Sequence, residues 1–351
     1  MGLFDNVLGA DQSLIRNEAA LDYEFLPKLI PFREKEQRYM ANCIKPLFGD
    51  RSGRNILIYG PPGIGKSAAV RHVLRDLEEE TDDVHTIYIN CWKYNTSYKI
   101  LTEVCENLGY RFTQNKKTTE LFKVATQLLN KKPAVLVFDE IDKAEDFDFL
   151  YSFIEDIYHK AIFLLTNYKS WLLELDERIR SRLVAELQEF KEYNESETRG
   201  ILQERVDYAF VPGVWDIEAF ELVVSRTARI KDIRSGLFLL KESSLLAEEK
   251  AGTKITSDHV TRAIAKLDEF SVKNSDELDE ESKFINNVVK VNSGKKIGDL
   301  FEDYQKTGGK ASYKTFQRRL NKLEEGRFVK LTKQTGAGGN TTIVERKLTD
   351  F

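Results

Sequence analysis

Apolar and polar positions follow two rhythms along the first 190 residues. Short apolar runs occupy Asn55–Tyr59, Thr86–Asn90, Ala134–Phe138 and Ala161–Leu165. Between them apolar residues recur at three- and four-residue spacing, as in Val70, Val73, Leu74 and Leu77. Such runs, separated by helical stripes, predict parallel strands buried on both faces and covered by helices. The segment to about residue 190 therefore reads as an α/β domain. Residues 191–270 keep the helical spacing and offer no convincing strand, and no internal repeat or low-complexity tract interrupts the chain.

Beyond the polar, acidic stretch Ser271–Ser282 the pattern changes. Phe284, Val288 and Val289 space one short helix, and Ile297, Leu300 and Phe301 the next. A third starts at Ser312, a side chain suited to capping, with Phe316, Leu320 and Leu323 as its inward stripe. Val329–Gln334 and Thr341–Lys347 read as strands joined by the glycine-rich Thr335–Asn340. Three helices and a β-hairpin predict a winged helix. The expected organisation is a base over 1–190, a helical lid over 191–272, a linker over 273–282 and a winged helix over 283–351.

A length of 351 residues suits two or three such domains. The net charge of −4, taken over the whole chain, argues against a nucleic-acid binder. The average conceals a split. Residues 283–351 carry 15 Lys and Arg against 7 Asp and Glu, a net of +8, which leaves −12 on the first 282. A basic module on an acidic body points to an anionic partner for that module alone. Cys43, Cys91 and Cys105 form no Cys-x-x-Cys pair, and the four histidines lie away from them, so neither a disulfide framework nor a zinc site is expected. The N-terminus lacks a signal-peptide pattern, and apolar runs of about five residues cannot span a bilayer. A soluble, cytoplasmic protein is expected.

Gly60-Pro61-Pro62-Gly63-Ile64-Gly65-Lys66-Ser67 fits the phosphate-loop pattern and sits between a predicted strand and a predicted helix, where Ala68 continues. The loop's backbone N–H groups and the new helix's positive end suit phosphate oxygens. Lys66 would reach the β- and γ-phosphates, and Ser67 would ligate Mg²⁺. Asp139 and Glu140 end the third apolar run, where two acids call for a cation. Asp139 would hold the Mg²⁺ shell and Glu140 would act as general base on the attacking water. Asp142 reads as surface. Asn167, after the fourth run, either bonds the γ-phosphate or the water, or simply starts a loop.

Strand, phosphate loop, Asp-Glu strand and Asn strand together resemble the AAA+ ATPases. Within that group the chain resembles archaeal replication initiators of the origin-recognition and cell-division-cycle type. Tyr23–Pro27, Phe32-Arg33-Glu34 and Gln37 match their N-terminal segment. Asn90-Cys91, Tyr98–Leu101, Leu175–Leu183, Glu192-Tyr193, Ile201–Arg205, Ala209-Phe210 with Gly213, and Asp232–Arg234 match further along. The resemblance implies that Tyr193 and Arg205 contact ATP or ADP from the lid and that Arg234 touches the phosphates. It implies an arginine finger for a neighbouring subunit's ATP, with Arg182 and Arg178 as candidates. Where many archaeal members read Arg-Val-x-Ser-Ser, this chain has Arg178-Ile179-Arg180-Ser181-Arg182, closer to clamp-loader subunits. Duplex origin DNA, the replicative helicase and other initiator copies are the implied partners, with slow hydrolysis serving as a switch. A clamp-loader-like or transposition-regulator AAA+ ATPase is the alternative, and a signalling ATPase whose winged helix docks only to protein is a third reading.

In the winged helix, Lys314, Gln317, Arg318, Asn321 and Lys322 would face the major groove. Gly336, Gly338 and Gly339 would let the wing approach DNA closely, flanked by Lys333. Aromatic residues are not interleaved with these bases, which favours duplex over single strands. A second DNA contact is expected near Lys93–Lys99.

Overall fold

The computed structural model describes residues 13–249, 252–276, 279–292, 294–325, 328–336 and 339–346. The chain packs as two compact units that divide between Lys241 and Glu242. The elements are α1 (Glu34–Ile44), β1 (Ile56–Tyr59), α2 (Lys66–Glu80), β2 (His85–Asn90), α3 (Ser97–Asn107), α4 (Thr118–Leu129), β3 (Ala134–Asp139), α5 (Asp148–Asp156), β4 (Lys160–Thr166), α6 (Trp171–Glu174), α7 (Glu177–Leu183), β5 (Glu186–Glu189), α8 (Glu195–Ala209), α9 (Ile217–Ile230), α10 (Ile233–Glu248), α11 (Ser257–Asp276), α12 (Glu280–Val291), β6 (Lys295–Lys296), α13 (Ile297–Lys306), α14 (Tyr313–Glu325), β7 (Val329–Gly336) and β8 (Gly339–Arg346).

In the first unit five parallel strands form one sheet in the order β2-β3-β4-β1-β5. The four apolar runs are its first four strands. Their residues alternate between two cores. Leu57, Leu136, Phe138, Ile162 and Leu164 pack with α3, α4, α5 and α7 on one face. Ile56, Ile58, Val135, Val137 and Phe163 pack with α1 and α2 on the other. Burial on both faces is why these strands read as unbroken apolar runs. Truncating Phe138, fully buried against Phe149, would cost about 3–5 kcal/mol.

The fifth strand has no counterpart in the apolar pattern. Its sequence, Glu186-Leu187-Gln188-Glu189, pairs only with β1 at the sheet edge and is nowhere fully buried. Phe190 extends that pairing, donating to the Tyr59 carbonyl at 2.8 Å. The chain then leaves the sheet and enters α8 through a reciprocal cap, in which Asn194 and Glu197 bond each other's backbone N–H at 2.9 Å.

The second unit holds the winged helix. Helices α12, α13 and α14 pack against an antiparallel sheet of order β6-β8-β7. Ile285, Val289, Leu300, Tyr304, Phe316, Leu320 and Val344 form its core. Ser312 caps α14, its hydroxyl accepting from the Thr315 N–H at 3.3 Å. Two details differ from expectation. In the stretch expected as a linker at 273–282, residues to Asp276 continue α11 and residues from Glu280 open α12. The wing pairs up to Gly336 opposite Gly339, so most of the expected Thr335–Asn340 loop belongs to the strands. Gly338 and Lys347 lie outside the described residues.

Candidate functional site

The phosphate loop joins the end of β1 to the start of α2. Gly63 and Gly65 take φ of +75° and +85°, a region costly for residues with a Cβ. Space forbids one as well. A Cβ on Gly63 would lie 1.9 Å from an Asp232 carboxylate oxygen, and one on Gly65 would lie 2.9 Å from the Tyr193 hydroxyl. Lys66 is buried, and its ammonium donates to the Gly60 carbonyl at 2.7 Å, the Pro61 carbonyl at 2.9 Å and Asn167 Oδ1 at 2.9 Å. Burial pulls its pKa down to about 8, with Asp139 partly opposing. The structure thus brings Asn167 onto Lys66.

Asp139 ends β3 and is 4% exposed. It accepts from the Tyr88 hydroxyl and, at 2.9 Å, from the Glu140 N–H. Glu140 has φ of +53°, which turns the chain sharply off the strand. Burial raises the Glu140 pKa, with Asp139 and Asp142 adding to the effect. Asp142 is not a surface residue: its side chain is 9% exposed, accepts from Thr166 Oγ1 at 3.0 Å and lies 3.1 Å from Lys143 Nζ.

Pro62, Gly63, Gly65, Lys66, Ser67, Ala68, Asp139, Glu140, Asn167, Tyr193, Arg205 and Arg234 line one cleft. Tyr23, Pro27, Ile30, Pro31, Ile201 and Leu237 supply its apolar wall. These six were missed as site residues, since each alone is an ordinary apolar or turn residue. Two of the lid residues are also held by partners within the protein. Arg205 donates to the carbonyls of Ala20 and Phe25, both at 3.2 Å, and lies over the Phe25 ring. It therefore ties the N-terminal segment to α8. Arg234 is paired with Asp232 at 2.7 Å. Arg178 and Arg182 lie outside this cleft. Arg178 is four-fifths exposed beside Asp176, and Arg182 meets Glu155 at 2.5 Å and the Tyr151 ring.

On the winged helix, Phe316, Leu320 and Leu323 face inward and Lys314, Arg318, Asn321 and Lys322 are exposed, with Gln317 half-buried. The predicted stripes of α14 thus fall on opposite sides. Near residue 93, Trp92 is 68% exposed and Lys143 sits over its ring. Among the described residues no helix is long and apolar enough to cross a membrane, and no group of three or more His, Cys, Asp and Glu could hold a metal unaided.

A 2-3-4-1-5 parallel sheet, a glycine loop opening a helix and an Asp-Glu strand end define a P-loop ATPase of the AAA class. Residues 50–167 match the family described as AAA domain, and residues 199–265 match the Cdc6 AAA+ ATPase-type lid domain. ORC1-type DNA replication protein 1 of Sulfolobus acidocaldarius is 31% identical over 330 residues, covering 88% of this chain and 83% of the relative. ORC1-type DNA replication protein 2 of Archaeoglobus fulgidus is 28% identical over 356 residues, covering 98% and 93%. The chain belongs to the ORC1-type DNA replication proteins. Among solved structures, the ORC1 protein of Aeropyrum pernix in complex with DNA gives a TM-score of 0.69 at 25% identity, covering 96% of this chain and 94% of that one. The ORC2 protein of the same organism, solved as ADPNP–ADP complexes, agrees in fold with a TM-score of 0.73 at 16% identity, covering 95% and 94%.

Proposed function

We propose that this chain is an ATP-switched replication initiator that binds duplex origin DNA through its winged helix. One observation carries the reading: a single chain holds both a phosphate-loop cleft and an α14 face exposing Lys314, Arg318, Asn321 and Lys322. Phosphate neutralisation by such a face supplies DNA affinity, and base contacts supply preference. The DNA-bound relative at 25% identity supports the same partner.

At the nucleotide, Lys66 and the N–H groups of Gly63–Ser67 would hold phosphates. Ser67 and Asp139 offer two hard oxygens, a donor set that fits Mg²⁺ held mainly by phosphates and water. The buried Asp139 carboxylate suits such a neighbour. Bound there, the ion would offset charge on the transferring phosphoryl group. Glu140 would take the proton of the attacking water, and the burial that raises its pKa makes it a stronger base than an exposed carboxylate. Asn167 would orient that water or the γ-phosphate. Tyr193, Arg205 and Arg234 would close the lid side. Arg178 or Arg182 would complete a neighbouring copy's site, which makes turnover by one copy alone slow. The replicative helicase, a second DNA contact near Lys93–Lys99, and a cytoplasmic, nucleoid-associated location belong to the same reading.

Footprinting on the surrounding genome, with and without ATP and across a salt series, tests it. A protected site whose affinity falls steeply with salt is expected. Binding that is salt-independent, or blind to sequence and to ATP, would overturn the reading in favour of a protein-docking module.

A further inference from the structure

Arg33 sits at the N-cap of α1, far from the loop in sequence, yet it is 4% exposed and spends its donors on the nucleotide cleft. Nη2 donates to the Ile64 carbonyl in the phosphate loop at 3.1 Å and to the Lys191 carbonyl at 2.6 Å. Nε donates to the Tyr193 hydroxyl at 3.0 Å. Nη1 meets Glu36 at 3.1 Å, which balances the buried charge. The guanidinium carbon also lies 4.0 Å from the Tyr193 ring centroid and 5.0 Å from that of Phe190. Lys191 and Tyr193 belong to the short connection from β5 to the lid helix α8, and the Tyr193 hydroxyl in turn closes over Gly65.

We propose that Arg33 is a positioning residue for the nucleotide site, clamping the phosphate loop to the connection between sheet and lid. The clamp rests on the nucleotide reading given above. Ile64 lies between the two left-handed glycines, so fixing its carbonyl fixes which way the neighbouring N–H groups point. Arg33 does not itself line the cleft. It acts through Ile64 and Tyr193. Coupling is reciprocal, so a nucleotide that orders the loop also favours one setting of the lid connection. A guanidinium is required because its planar fork serves several acceptors at once. A lysine ammonium keeps the charge but cannot match that fork.

The test is equilibrium binding of a fluorescent ATP analogue to the full chain, with circular dichroism as the folding control. Arg33→Lys is expected to stay folded and to bind about ten- to a hundredfold more weakly, the loss that follows from charge-assisted hydrogen bonds. Millimolar guanidinium ion should restore affinity to Arg33→Ala, refilling the vacated space, and should do nothing for Lys66→Ala. Should Arg33→Ala not fold, Arg33→Lys carries the comparison alone, since it keeps the charge and removes only the planar fork. Wild-type affinity in Arg33→Lys, or a loss in Arg33→Ala that guanidinium leaves untouched, overturns the clamp. A wild-type chain that bound no nucleotide would overturn the function proposed above, and the clamp with it.

Discussion

The carboxylate of Asp232 accepts two hydrogen bonds from the Arg234 guanidinium, at 3.0 and 2.7 Å, while resting against the α-carbon of Gly63. The Ile233 N–H reinforces that seat by donating to the Gly63 carbonyl at 3.1 Å. Arg234 is thus held by a carboxylate at the place where phosphate charge would compete for it. Asp232→Asn removes that competitor and one negative charge from the cleft. It should tighten ATP binding by about three- to tenfold, the scale of exchanging a charged hydrogen bond for a neutral one. Titration of labelled ATP into both proteins checks this. Weaker binding in the variant would mean that Asp232 serves the loop rather than restrains Arg234.

Glu140→Gln keeps the size of the side chain and removes the base. Turnover should fall by about 10²–10⁴-fold, the usual worth of a general base, while ATP affinity stays within a few-fold of wild type. Retention of labelled ATP on the purified variant, read beside phosphate release, separates the two effects. Wild-type turnover would remove Glu140 from the reaction.

Arg318 is exposed on α14 opposite the Phe316–Leu320–Leu323 core stripe. Arg318→Ala should cost about 1–3 kcal/mol of DNA affinity and relax preference at one base pair. Binding to a library of single-base variants of the footprinted site reads both. An equal loss on every sequence would make Arg318 a phosphate contact.

His85 opens β2, and its pKa is lowered by burial, with Lys132 and Lys131 adding to the effect. The unfolded chain therefore takes up a proton near pH 6.5 that the folded chain resists. Stability from this group is complete above pH 6.5 and is lost as pH falls below it. Urea unfolding at pH 7.5 and pH 5.0 should show a smaller difference in His85→Gln than in wild type. An unchanged difference would assign the acid sensitivity to other groups.

Legibility in the sequence followed locality. The loop from Gly60 to Ser67 is one contiguous segment whose chemistry is written in its residue types, so it could be found without a fold. Asp139-Glu140 and Asn167 could be found because each ends a strand buried on both sides. The wall of Tyr23, Ile30, Ile201 and Leu237 could not, because three distant segments build it from ordinary apolar residues. Arg205 was recognised by resemblance, but its bonds to Ala20 and Phe25 follow from the path of the N-terminal segment, which no spacing encodes. Arg33 carried a family match and no role, since its partners Ile64, Lys191 and Tyr193 meet only in three dimensions.

The polar strand at the sheet edge has a bearing on solubility. Glu186 is engaged by Arg54 and Tyr39, whereas Glu189 is exposed, so this edge strand carries an acid at each end. An incoming strand from another molecule would have to desolvate those charges before it could pair. The residues that hid this strand from the apolar pattern therefore also disfavour pairing at this edge of the sheet. A Glu186→Val, Glu189→Val variant would look more like a strand in sequence and would make a stickier protein.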